Sequence, residues 1–112
     1  MVEVRSYSKD APIAPKKLRL ILDEVRGKRV DEAMAILRFM PTPHARLVAK
    51  AVRSAAANAE NNYNADARRL RVIRAFASDG QKLRRTMPRA RGRADMKIRR
   101  RSNLTIVVEE EV

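Results

Sequence analysis

The amino-acid sequence predicts an α+β fold: three helices and three strands, with a long protruding basic β-hairpin. Three observations carry that prediction. Period-two alternation opens and closes the chain, over residues 2–8 and 104–108, and returns from Leu70. Three stretches of helical spacing fill the interval between the first and second strands. Between residues 82 and 101, ten Lys or Arg stand among twenty residues, with Asp95 the only acid and Pro88 and Gly92 near the centre. So dense a run of one sign repels itself unless a polyanion neutralises it, which points to nucleic acid.

The elements follow in order. Residues 2–8 alternate as a half-buried strand does, and Asp10, Ala11 and Pro12 are expected to end it. Pro15 suits a first helical position, Leu18, Ile21, Leu22 and Val25 recur at helical spacing, and Gly27 supplies the left-handed cap. A shorter helix over about 31–40 carries Asp31 and Glu32 at the end where the helix dipole favours anions, and Pro41 stops it. Thr42 is expected to cap a third helix with Pro43 at its first position. Its stripe of Val48, Ala49, Val52, Ala55 and Ala59 runs on toward Asn61 and Asn62, small enough for close approach to a sheet or a second helix.

From Leu70 the strand pattern returns, with Leu70, Val72 and Phe76 on one parity and Arg74 breaking it. Leu104, Ile106 and Val108 alternate with Thr105 and Val107 in the last strand, rich in β-branched residues. The basic segment between these strands has no helical stripe. Read as a hairpin with arms over about 82–88 and 93–101, it projects on the order of 25 to 30 Å at about 3.3 Å per residue. With no apolar face to bury, such a ribbon is expected to be mobile until its target packs around it.

The rest of the chain bounds the function. A length of 112 residues suggests a single domain, with a body over 1–80 and 102–112 and the hairpin over about 81–101. Cysteine is absent, so disulfides and thiolate metal sites are excluded. No basic head followed by an apolar run opens the chain, and no run approaches the roughly 20 apolar residues that span a bilayer, so neither secretion nor membrane insertion is expected. The one histidine, His44, has no nucleophile or metal partner in view, and the three glycines form no phosphate-cradling loop. Catalysis is not expected, and no cofactor or metal is implied.

Lys16 and Lys17 occupy the first turn of the first helix, where the dipole disfavours cations unless a phosphate sits there; tolerated surface lysines are the alternative. Arg46, Lys50 and Arg53 form a row on the third helix that is either solvated or set against nucleic acid. Asn58, Asn61, Asn62 and Asn64 crowd its end, where capping is the ordinary role and hydrogen bonding to RNA the alternative. The four aromatics lie outside the basic segment, so no base-stacking platform is expected, and recognition rests on phosphate contacts, shape and arginine.

Three motifs stand in order along the chain: Ala14-Pro15-Lys16-Lys17-Leu18-Arg19-Leu20, then residues 54–62 reading Ser-Ala-Ala-Ala-Asn-Ala-Glu-Asn-Asn, then Pro88-Arg89-Ala90-Arg91-Gly92-Arg93-Ala94. Together they closely resemble the bacterial large-subunit ribosomal protein numbered twenty-two, over nearly the whole chain. The family usually has Ser-Pro-Arg-Lys where Ala14 to Lys17 stand here, and Thr-Ser-His before the last strand, changes that keep charge and polarity.

That resemblance implies three helices packed on a three-stranded antiparallel sheet, with the hairpin reaching inward through ribosomal RNA. It implies binding to RNA from several domains of the large subunit, a part in early assembly, and no catalysis. RNA contacts are expected at Lys16, Lys17 and Arg19 of the body and at Lys82, Arg84, Arg85, Arg89, Arg91, Arg93, Lys97, Arg99, Arg100 and Arg101 of the arms. The tip, Met87, Pro88, Arg89, Ala90, Arg91, Gly92, Arg93 and Ala94, is expected to line the peptide exit tunnel in the cytoplasmic ribosome, beside ribosomal protein four and the nascent peptide. The alternative reading is an architectural protein that slides its Arg/Pro arm into the minor groove of DNA.

Overall fold

The computed structural model describes residues 3–111, and the side chains of all of these except Asp10, Leu83 and Lys97. Its order is β1 (Glu3–Ala11), α1 (Pro15–Val25), α2 (Val30–Phe39), α3 (Ala45–Tyr63), β2 (Leu70–Asp79), β3 (Leu83–Pro88), β4 (Ala94–Arg99) and β5 (Ser102–Glu110), with a single 3₁₀ turn before β2 and a tight, partly left-handed turn between β3 and β4. One antiparallel sheet has the order β1-β5-β2, and β3 pairs with β4 as a separate two-stranded ribbon. Val2, expected in the first strand, lies outside the described residues.

The strand richest in β-branched residues takes the centre of the sheet. Leu104, Ile106 and Val108 of β5 are fully buried toward the helices, and Thr105 and Val107 are nearly so on the opposite face. α3 lies across β1 and β5, α1 against β2, and α2 packs on the other two helices. Both helices on the sheet bury the stripes read from the sequence: Leu18, Ile21, Leu22 and Val25 in α1, and Val48, Val52, Ala55 and Ala59 in α3, joined there by Ala45 and Ala51. Ala49 is only partly buried at the margin of this core.

Four expectations need correction. β1 runs past the expected span of 2–8 to Ala11, inside the expected stop of Asp10, Ala11 and Pro12; Ala11 pairs with Ser102 beyond a register shift after Ser8 and is buried. α3 begins at Ala45 rather than Pro43. Thr42 Oγ1 accepts from the His44 amide at 3.4 Å, and the Thr42 and Pro43 carbonyls accept from Ala45 and Arg46, so a tighter turn precedes the regular helix. In β2 the register shifts between Val72 and Arg74, and the shift moves Phe76 to the open face while Ala75 and Ala77 enter the core. The bulge thus resolves the parity break at Arg74.

The fourth concerns the ribbon, which is not without apolar surface. Met96 and Ile98, set opposite Thr86 and Arg84, form a short exposed stripe on one of its faces, and Met87 stands on the other.

Local caps agree with the sequence reading. Gly27 has φ 81 and its amide donates to the Val72 carbonyl at 2.8 Å, so the end of α1 is stitched to β2. Asn64 takes the left-handed conformation at φ 54, and its amide caps the Ala59 carbonyl. Two buried hydroxyls tie layers together: Ser6 Oγ donates to the Ala51 carbonyl and Ser102 Oγ to the Ile13 carbonyl, each at 2.8 Å.

Candidate nucleic-acid interface

The ribbon is built for exposure. Gly80 roots it: the Gly80 amide donates to the Arg101 carbonyl at 2.8 Å, and a Cβ at position 80 would meet the Arg101 carbonyl carbon at 3.0 Å. From that root the pairs run Leu83 with Arg99, Arg84 with Ile98, Arg85 with Lys97, Thr86 with Met96, Met87 with Asp95 and Pro88 with Ala94. Every described side chain between positions 82 and 100 is exposed, and Arg101 is half-buried at the root. The principal extents of 65 × 26 × 17 Å carry the length of the arm.

At the tip, Arg89 and Arg93 close the turn through a 2.6 Å backbone hydrogen bond, and Arg91 and Gly92 follow with φ of 62 and 71. A left-handed conformation costs a non-glycine residue on the order of 1 to 2 kcal/mol, so the tip carries an arginine where glycine or asparagine is cheaper. Arg89 Nε lies 3.0 Å from Asp95 Oδ2, with both side chains more than half exposed. A surface pair of this kind contributes about 0 to 1 kcal/mol, so it does not hold Arg89 against a phosphate. Arg84, Arg85, Arg91, Arg93, Arg99 and Arg100 make no ion pair among the described residues.

The body residues divide differently. Lys16 and Lys17 are exposed, but Pro15 removes one backbone donor and the Lys17 amide already donates to the Ala14 carbonyl at 3.1 Å. Any anion there is held by side chains more than by a nest of free amides. Arg19 donates to the Ala77 carbonyl at 3.1 Å, so part of its capacity fastens α1 to β2. Arg26, not singled out by sequence, does the same twice over, with Nε and Nη2 on the Ala75 carbonyl at 3.2 and 2.6 Å. Arg46, Lys50 and Arg53 are exposed along α3, as a solvated or RNA-facing row requires.

A small α+β body bearing a bare cationic ribbon is the build of a structural nucleic-acid-binding protein. Among the described residues no group of metal-ligating side chains is brought together, and no helix is long and apolar enough to cross a membrane.

Comparison with known proteins gives the particular family. Residues 6–109 match the family described as "Ribosomal protein L22p/L17e". The chain is 46% identical over 110 residues to the large ribosomal subunit protein uL22 of Thermoanaerobacter sp. (strain X514), covering 98% of this chain and 99% of the relative. It is 46% identical over 109 residues to uL22 of Clostridium novyi (strain NT), covering 97% of this chain and 98% of that one. Against uL22 of Dehalococcoides mccartyi (strain CBDB1) the identity is 42% over 109 residues, covering 97% of this chain and all of the relative. The chain belongs to the L22p/L17e family of ribosomal proteins, which are structural proteins and not enzymes.

Proposed function

We propose that the chain is a structural constituent of the large ribosomal subunit in the bacterial cytoplasm. It binds ribosomal RNA from several domains and supports early assembly of the subunit. Its tip, Met87 to Ala94, lines the nascent-peptide exit tunnel beside ribosomal protein four. The observation that carries this reading is the ribbon: ten Lys or Arg between residues 82 and 101, four of them on β3 and β4 and six at its tip and root, with Asp95 the one acid among them. The L22p/L17e match over residues 6–109 favours RNA over the minor groove of DNA as the polyanion.

In this mechanism the body docks through Lys16, Lys17 and the outward part of Arg19, while Lys82, Arg84, Arg85, Arg89, Arg91, Arg93, Lys97, Arg99, Arg100 and Arg101 neutralise phosphates. Carried on one chain, body and arm link RNA segments distant in sequence, and each contact raises the effective concentration of the next.

The chain also divides into a body that folds on its own, 1–80 with 102–112, and an arm that does not. Excising residues 82–101 tests both statements. Asp79 and Ser102 are paired across the strands, so Gly80 and Gln81 remain as a two-residue turn with glycine first, as type II′ geometry takes it. If about six arm residues reach phosphates, log affinity for ribosomal RNA falls with log salt at a slope of roughly −4 to −5. The excised chain is expected to keep its circular dichroism while that slope flattens. An unchanged slope in a filter-binding titration rules the arm out as the main electrostatic contact.

A further inference from the structure

We infer that the open face of the sheet, where it meets the end of α3, is a site for unpaired nucleobases of RNA. The inference rests on the RNA-binding reading and extends it from phosphates to bases. The bulge in β2 creates the site. By moving Phe76 off the core face it sets that ring opposite Thr105, whose partner on the other side is Tyr7, and Arg74 opposite Val107, whose partner on the other side is Arg5. Tyr7 is 58% exposed, Phe76 48%, and Tyr63 at the last residue of α3 54%; all four aromatics of the chain are exposed, and three of them gather on this side while Phe39 stands apart at the end of α2.

Phe76 and Tyr63 line one concavity of about 550 Å³ with Arg5, Arg74, Asn58 and Asn62, over a floor of Thr105 and Val107. Sites for small ligands occupy roughly 300 to 1,000 Å³, so a nucleotide fits. The lining is the chemistry that reads unpaired RNA: aromatic faces for stacking, side-chain amides for base edges, guanidinium groups for phosphate. Asn58 is held in place by donating to the Arg5 carbonyl at 3.4 Å, which leaves its Oδ1 as an acceptor. Arg74 is paired with Glu3 across the strand between them, but both side chains are about half exposed, and a phosphate can exchange for such a pair.

The occupant is RNA rather than a protein neighbour because two arginines and two amides, against the one carboxylate of Glu3, surround the rings. The same face also leads, through Ser78 and Asn103, to the root of the cationic ribbon. Tyr7 and Phe76 stand two strand spacings apart, about 10 Å, so two bases of one strand can each take a ring.

The test uses the full chain and two labelled probes, a single-stranded oligoadenylate and an RNA duplex of equal length, followed by anisotropy across a salt series. Tyr63→Leu with Phe76→Leu keeps apolar bulk at two exposed positions but removes the stacking faces. Base-aromatic stacking predicts about a ten- to hundredfold loss of affinity for the single strand, with little change for the duplex and an unaltered salt slope. Phe76→Tyr retains the ring and is expected to bind as the parent does. Wild-type affinity of the double Leu variant for the single strand overturns the inference and leaves the face to a protein neighbour. The arm-excised chain, titrated in parallel, reports the electrostatic reading separately: its salt slope tells a failed stacking site from a failed arm.

Discussion

Ser102 shows how much one atom can hold. It stands where the returning arm enters β5, fully buried, and its hydroxyl donates to the Ile13 carbonyl ahead of α1. Ser102→Ala removes the donor and strands a carbonyl that folding has taken out of water. A loss of about 1 to 2 kcal/mol is expected. In a thermal melt followed by circular dichroism that is a drop of about 4 to 8 °C per kcal/mol, whereas Arg100→Ala, two residues away and exposed, leaves the melt in place. Neither Ser102 nor Gly80 was legible in the sequence. A serine before a strand has no signature separating a buried tie from a surface hydroxyl, and a glycine between Asp79 and Gln81 reads as a turn residue. Its role is the close approach of the Arg101 backbone, a contact between residues far apart in sequence. The left-handed caps at Gly27 and Asn64 were legible because local backbone geometry is what those residue types encode.

Among the elements, α3 depends most on small residues. Ala51, Ala55 and Ala59 are buried while Ala57 is exposed, so the same residue type faces two environments on one helix. Ala55→Leu inserts three carbons where the helix lies on β1 and β5 and is expected to destabilise by about 1 to 3 kcal/mol. Ala57→Leu should leave stability within about 0.5 kcal/mol, as surface changes do. Urea titration of the two variants checks the pair, and equal midpoints would mean that α3 does not pack as described. Helices and the central strand were readable because periodicity survives in them over many residues. β2 was readable only in part: a single register shift after Val72 inverts every later side chain, so the parity read forward from Leu70 put Phe76 in the core. The stacking face was missed for the same reason, since its rings come from β1, α3 and the far side of that bulge.

For the whole molecule, the shape is the consequence of charge. The Cα radius of gyration is 17.1 Å, against about 13 Å for a compact chain of this length. The excess lies in the ribbon, whose residues 82–101 carry ten of the 26 basic side chains and one of the 13 acidic ones. Folding it onto the body would bring those charges against a body that is itself net positive, while the apolar gain is limited to the short stripe of Met96 and Ile98. Extension is therefore the lower-energy arrangement before RNA arrives, and added salt, by screening the repulsion over about 10 Å at 0.1 M, weakens that preference. Small-angle X-ray scattering of the free chain at low salt is expected to give a radius near the 17.1 Å of the extended form. Excision of residues 82–101 should bring it to about 12 Å, the value for a compact chain of the remaining length. A full-length radius near 13 Å at low salt would show the arm folded back, and would mean that repulsion does not set the reach on which linking distant RNA segments depends.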